Sequence, residues 1–168
     1  MADSRRIHVT DTNIWIDLYA GGIIHEAFQL PLRFIAPDVI IAELQAPDGR
    51  ALVSLGLQQE ELAGDEVRLV IQIASRYPAP SRVDLFTLAL AKARGAVLLT
   101  GDRHLRKAAE QEKVPVHGTL WILDELVRQR IVTPQKAARA LEKMRAKGSR
   151  LPRAECERRL KKWGRRDG

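Results

Sequence analysis

Short β-prone runs alternate along this chain with segments of helical period, and each run is followed at once by a residue suited to start a helix. Ile7-His8-Val9 leads to Asp11, after which residues 13–20 read as a helix stopped by Gly21-Gly22. Residues 32–36 are again β-prone, Pro37-Asp38 starts a helix, and residues 39–45 stay helical until Pro47-Asp48-Gly49 breaks the pattern. Residues 51–77 read as mostly helical, with Asp65 placed to cap residues 66–76 and Pro78-Ala79-Pro80 closing the segment. Ser81-Arg82-Val83-Asp84 has the form of a capping box for a helix running to Arg94, where Gly95 suits a left-handed terminus. Residues 96–99 then form a short buried strand, Asp102 opens a helix to about residue 112, residues 114–116 make another strand and residues 118–129 another helix. Such alternation implies a parallel sheet covered on both faces, because right-handed crossovers place the helices there. The expected fold is α/β, a three-layer α/β/α arrangement around a central parallel sheet. A C-terminal helical hairpin follows, built from a helix that starts at Thr133-Pro134 and ends near Gly148 and a second over residues 152–163.

A length of 168 residues suits one domain with an extension and excludes two complete catalytic domains. The expected division is a body at residues 1–130 and a basic helical extension at residues 131–168. The longest uncharged stretch, residues 114–123, contains Pro115 and Gly118 and falls well short of the roughly 20 apolar residues of a membrane span. Acidic Asp3, Asp11 and Asp17 replace the apolar segment of a secretory signal, so the expectation is a cytoplasmic protein without a membrane partner. The lone Cys156 excludes an intrachain disulfide, and His8, His25, His104 and His117 are too dispersed for zinc-finger spacing. The net charge of +7 is unevenly spread: residues 128–168 hold 15 of the 28 basic and 4 of the 21 acidic residues, so the tail carries +11 and the remainder −4. That tail fits either a solvated helical face or a phosphate-rich partner.

In parallel α/β sheets, ligands bind outside the carboxyl ends of the strands. Asp11 follows the first strand, and Thr100-Gly101-Asp102 follows the strand at residues 96–99. Each aspartate could equally serve only as a helix cap. Glu43, at 100° per residue, falls between Val39 and Ile40 on the inward arc of its helix, where a carboxylate must meet a cation, shift its pKa or line a cavity. A structural salt bridge to an arginine is the plainer alternative. Asp84 occupies the acidic position of its capping box and also stacks above Leu88 and Ala91. The four carboxylates together carry more weight than any one, because the helix starts converge on one sheet edge and an unneutralised cluster would repel itself. Carboxylate oxygens suit Mg²⁺ or Mn²⁺, whose coordination is commonly completed by substrate phosphate oxygens. Phosphodiester hydrolysis by metal-activated water would then need no Ser, Cys or His nucleophile.

At these positions the sequence resembles a known family. Thr10-Asp11-Thr12-Asn13, Glu43-Leu44, Asp84 and Leu99-Thr100-Gly101-Asp102 look like the motifs of PIN-domain nucleases, particularly the VapC-type toxins of toxin–antitoxin pairs. The match covers about residues 6–126. The resemblance implies a ribonuclease using Mg²⁺ or Mn²⁺, with Asp11, Glu43, Asp84 and Asp102 as catalytic and metal-binding carboxylates and Asn13 and Thr100 as supporting polar residues. It also implies a type II toxin whose partners are RNA, a cognate antitoxin and a second copy of the chain. Arg106 departs from the pattern, standing where many relatives place a further acidic residue.

The basic hairpin exceeds the minimal PIN domain and is similar to the C-terminal extension of a PIN subgroup. If it folds against the body, Leu141, Met144, Leu151 and Leu160 are its expected core contacts. Arg150, Arg153, Arg158, Arg159, Lys161, Lys162, Arg165 and Arg166 are then left to meet RNA phosphates. Gly21-Gly22 matches no phosphate loop or dinucleotide fingerprint, and Ser54 lacks the Gly-x-Ser-x-Gly elbow. Trp15 and Trp121 have apolar neighbours and read as core or interface residues. Two rival classes remain: a PIN-fold protein that binds RNA or a partner with little hydrolysis, and a phosphatase of another α/β family. For the latter, Asp11-Thr12-Asn13 lacks the second aspartate that an aspartyl-phosphate motif would place at position 13.

Overall fold

The structure, a computed structural model, describes residues 3–164. Five strands, β1 (Arg6–Thr10), β2 (Leu32–Pro37), β3 (Gln58–Glu60), β4 (Val97–Leu99) and β5 (Val116–His117), form one parallel sheet in the order β3-β2-β1-β4-β5. The chain winds outward from β1 to β3 and then returns to the other side for β4 and β5. The order therefore reverses at β1 and β4, which is where an open α/β sheet forms its crevice.

Strand alternation divides the core into two layers. Phe34, Ala36, Val97 and Leu99 face a layer with α1 (Thr12–Ala20) and α8 (Thr119–Arg128). Val9, Ile35 and Leu98 face the opposite layer with α5 (Gly64–Arg76), α6 (Arg82–Ala93) and α7 (Arg103–Gln111). Strands buried on both faces need near-continuous apolar runs, which β2 and β4 provide. Trp15 is fully buried against Phe28 and Phe34, with ring centroids 5.1 and 5.5 Å away. Trp121 stacks on His117 at 4.3 Å and on His8 at 5.5 Å.

The hairpin, α9 (Pro134–Ala146) and α10 (Arg153–Trp163), packs into the first layer. Leu141 and Met144 are buried, and Leu151 and Leu160 lie partly buried against the same cluster. Cys156 and Trp163 are buried from α10. At Gly21, after α1, an added Cβ would lie 2.6 Å from the Met144 methyl carbon and 3.2 Å from the Ala140 carbonyl oxygen. The absence of a side chain there lets α9 approach α1. No helix among the described residues is long and apolar enough to cross a membrane.

The middle of the chain departs from the sequence expectation. Residues 51–77 are not one helical region: α4 (Gly49–Leu55) is followed by edge strand β3, whose Gln58-Gln59-Glu60 has no apolar alternation to reveal it. A four-residue helix, α2 (Ile24–Ala27), also precedes β2. Helix α5 begins at Gly64, because the Glu66 carboxylate accepts the Ala63 N–H at 2.9 Å, and Asp65 is not its cap. Strand β5 starts at Val116, two residues later than expected. Lys113, at φ 60°, turns the chain so that the Val114 N–H closes back on Ala109 O at 2.9 Å.

Candidate functional site

Asp11 leaves β1 at the reversal point, where its N–H donates to Leu99 O of β4 at 3.2 Å. Its side chain caps α1 by accepting the Ile14 N–H at Oδ1, 3.0 Å away. The second oxygen, Oδ2, accepts the Thr100 hydroxyl. That hydroxyl oxygen in turn accepts the Asp102 N–H at 3.0 Å, and Asp102 Oδ1 caps α7 by accepting the Leu105 N–H at 2.8 Å. One buried hydroxyl thus ties the ends of β1 and β4 together, with Thr100 0% and Asp11 1% exposed.

Asp84 is half-buried at the start of α6, and its capping box is formed: Ser81 Oγ accepts the Asp84 N–H at 3.1 Å and Asp84 Oδ2 accepts the Ser81 N–H at 3.2 Å. Glu43 ends α3 (Asp38–Glu43). It is exposed rather than inward-facing: Ile40, Ile41 and Leu44 make the buried side of this short helix, and Glu43 stands off it. The periodicity argument for its burial therefore fails. It faces the site by another route, accepting the Thr12 hydroxyl at 2.9 Å across the start of α1. Asn13 is exposed beside these residues, and Arg106, one turn beyond Asp102, is half-buried.

The electrostatics connect the four carboxylates. Burial pushes Asp11 up to about 7 against the opposing hydrogen bonds from Thr100 and the Ile14 N–H, and the nearby Asp84 charge raises it further. Burial also raises Asp84, with repulsion from Asp102 and Glu43 adding to it. Among the described residues no Lys, Arg or His forms a salt bridge with any of the four. A carboxylate group without a protein cation, charged at a cost, is a donor set that fits a hard divalent ion. The carboxylates are nevertheless each turned to a local partner. Among the described residues, no three His, Cys, Asp or Glu side chains converge closely enough to hold an ion by themselves.

Two supporting roles are not assigned from the sequence, although Thr10 opens the first motif. Thr10 accepts the Trp15 indole N–H at 2.8 Å and donates to Ile35 O at 3.3 Å, fixing the end of β1. Asp17, 8% exposed, accepts the Thr119 hydroxyl at 2.8 Å, joining α1 to α8, and burial raises its pKa while the nearby Thr119 and Ser149 hydroxyls oppose the shift. In the tail, Arg153 pairs with Glu157, Arg158 with Glu155, and Arg159 with Asp124 and Glu155. Arg150, Lys161 and Lys162 are exposed, and Arg165 and Arg166 lie outside the described residues.

A family profile described as a PIN domain matches residues 7–165, which takes in the hairpin as well as the sheet. No curated protein matches the chain. Among solved structures, a PilT N-terminus domain protein from the hyperthermophilic archaeon Sulfolobus solfataricus P2 is similar over 72% of this chain and 93% of its own. The TM-score is 0.51 at 11% sequence identity, a likeness of fold.

Proposed function

The chain belongs to the PIN-domain family, whose members are generally nucleases that use divalent metal ions, and on that premise we propose that it is a metal-dependent endoribonuclease hydrolysing RNA phosphodiester bonds. The observation that carries the reading is the set of four carboxylates at the reversal point, with Asp11 buried at 1% exposure and, among the described residues, no basic side chain paired to any of them. Asp11, Glu43, Asp84 and Asp102 would hold Mg²⁺ or Mn²⁺. A bound divalent ion would polarise the phosphoryl oxygen and supply a water nucleophile at neutral pH. Asp11 is kept in place by the Thr100 hydroxyl and the Ile14 N–H, so its charge is pre-oriented and poorly solvated before any ion arrives. Thr100 also holds the Asp102 backbone in register with Asp11. Asn13 stands exposed at the mouth, where its amide can meet a phosphate or ribose oxygen. The sole cysteine, Cys156, is buried in the hairpin core and takes no part.

We further propose that this activity is that of a toxin in a type II toxin–antitoxin module, acting in the cytoplasm and held by an antitoxin, with a second copy of the chain as a further partner. The Asp11-Thr12-Asn13 and Thr100-Gly101-Asp102 motifs support it by their likeness to VapC-type toxins. A second reading, a PIN-fold RNA-binding protein with little turnover, is favoured by one observation: each carboxylate faces its own local partner rather than a common point. Incubation of single-stranded RNA with the protein in Mg²⁺, in Mn²⁺ and in excess chelator separates the two. Cleavage that requires the metal supports the nuclease, and binding without cleavage in either metal supports the second reading.

A further inference from the structure

Beside the carboxylates lies an open cleft of about 930 Å³, walled by the outer face of α1, the start of α7 and the turn between α9 and α10. We propose that this cleft is the substrate-strand channel of the site, taking a stretch of single-stranded RNA next to the reacting phosphodiester, with the hairpin turn as its phosphate-binding wall. The proposal rests on the nuclease reading and adds where the strand runs and which residues hold it.

Three features point to that occupant. The cleft adjoins the site, since Asn13 and Asp102 are among its lining residues. Arg103, Lys147 and Arg150 bring three basic side chains to its walls, with His104 beside them, whereas Asp17 is buried and turned to Thr119. Tyr19 and Ile16, 54% and 41% exposed, offer an aromatic and an aliphatic surface along α1. Cations that follow a backbone, together with an exposed aromatic on which a base can stack, are what sequence-tolerant single-strand binding requires. A deep acidic end would repel a phosphodiester, and basic side chains just outside it offset that repulsion.

The geometry also separates the turn from the rest of the basic tail. Arg153, Arg158 and Arg159 already face acidic partners on α8 and α10. The smaller groove between those helices, about 530 Å³, holds Arg128, Arg158 and Lys162 but has only the buried Trp163 as its aromatic. Asp17 ties α1 to α8 through Thr119 at the root of the cleft, and Ser149 of the turn lines the same cleft.

The test is anisotropy titration of a short fluorescent single-stranded RNA with the full chain in chelator, at several salt concentrations. Lys147→Ala/Arg150→Ala should weaken binding on the order of tenfold at low salt and make the log–log salt slope shallower by about 1.4, the sum for two single-strand phosphate contacts. Tyr19→Ala should weaken it about tenfold with the slope unchanged, the signature of a lost stack. All three side chains are exposed, so thermal midpoints should match wild type. Arg68→Ala/Lys113→Ala removes equal charge from α5 and from the turn after α7, and should bind within about twofold of wild type. The proposal is overturned if the turn variant binds as wild type does, or if the Arg68/Lys113 control loses as much affinity. It is also overturned if Tyr19→Ala keeps its RNA affinity and converts a dimer to monomer in sedimentation, which would give the cleft to a second copy. Those results leave the nuclease reading standing. Wild-type protein that neither binds nor cleaves single-stranded RNA removes both.

Discussion

Replacing Asp11 by asparagine should stabilise the fold at neutral pH while removing the charge on which the proposed chemistry depends. The folded state holds this carboxyl near a pKa of about 7, mainly because burial disfavours its charge, against 3.8 for the ordinary group. A raised folded-state pKa means the folded protein binds the proton more tightly. The associated stability is complete below about pH 3.8 and is lost as pH rises through about 7. A difference of about 3 units corresponds to roughly 4 kcal/mol of destabilisation by the ionised group above pH 7. Asparagine keeps an acceptor for the Ile14 N–H, but its amide must donate to Thr100 Oγ1 instead of accepting from it. Rearranging that one hydrogen bond costs about 1 kcal/mol, leaving the variant about 3 kcal/mol more stable near pH 8. The assay is urea unfolding of both proteins in chelator between about pH 5 and pH 8. The buried His8 and the half-buried His117, whose pKa values burial lowers, titrate alike in both proteins and cancel in the difference. The gap should open by roughly 2–3 kcal/mol across that range. Saturating Mn²⁺ should narrow it by stabilising wild type by about 2.7 kcal/mol at a hundred times the dissociation constant. A gap that stays constant with pH, or a variant less stable than wild type near pH 8, would refute the reasoning.

Three further outcomes follow from the fold. Gly49→Ala should lower stability by about 3 kcal/mol or more, because the new Cβ would sit 2.1 Å from the Ile41 carbonyl oxygen and 2.9 Å from its carbon, backbone atoms that cannot swing away; a loss below about 1 kcal/mol in urea unfolding would contradict this packing. Glu112 is pushed up by burial but held down at about 2 by hydrogen bonds from Lys92, Tyr77 and Arg76. Its contribution is therefore present above about pH 4.5 and lost as pH falls through about 2. Since Lys92 and Arg76 are partly solvent-screened, Glu112→Gln should cost about 1–2 kcal/mol at pH 7, and the difference from wild type should vanish in acid. Leu141→Ala, in the buried face of the hairpin, should cost about 2–5 kcal/mol within a single cooperative transition, because α9 shares the core of α1 and α8. Two separate transitions would instead make the hairpin an independent unit.

Four of the five strands were legible because they carry short apolar runs, each followed by a residue suited to begin a helix. Asp11 and Asp102 occupy cap positions, and both do cap their helices. Capping and site geometry are compatible because a carboxylate has two oxygens: Asp11 gives one to Ile14 and keeps the other for Thr100. Periodicity misled at Glu43, since the buried arc runs through Ile40, Leu44 and Ile41 and leaves Glu43 outside it at the exposed end of the helix. The role of Thr100 as the link between the Asp11 carboxylate and the Asp102 backbone, and of Asp17 as a tie between α1 and α8, depends on contacts over 89 and 102 residues of separation. No local pattern carries those contacts. Edge strand β3 escaped for a different reason: at the rim of the sheet its Gln58-Gln59-Glu60 needs no apolar face.

The central claim, that the carboxylates at the reversal point form one cation site for phosphodiester hydrolysis, is tested most directly by single-turnover cleavage of single-stranded RNA in saturating Mn²⁺. Wild type and Asp11→Asn are compared, with chelator as the reference. Perturbing even the outer shell of a metal site typically costs 10- to 100-fold, so loss of a carboxylate at the centre of this one should slow cleavage by at least about a hundredfold. The folded variant should retain its RNA affinity in chelator, and wild type in chelator should be equally inactive. Cleavage by Asp11→Asn at the wild-type rate, or by wild type in excess chelator, would contradict the account.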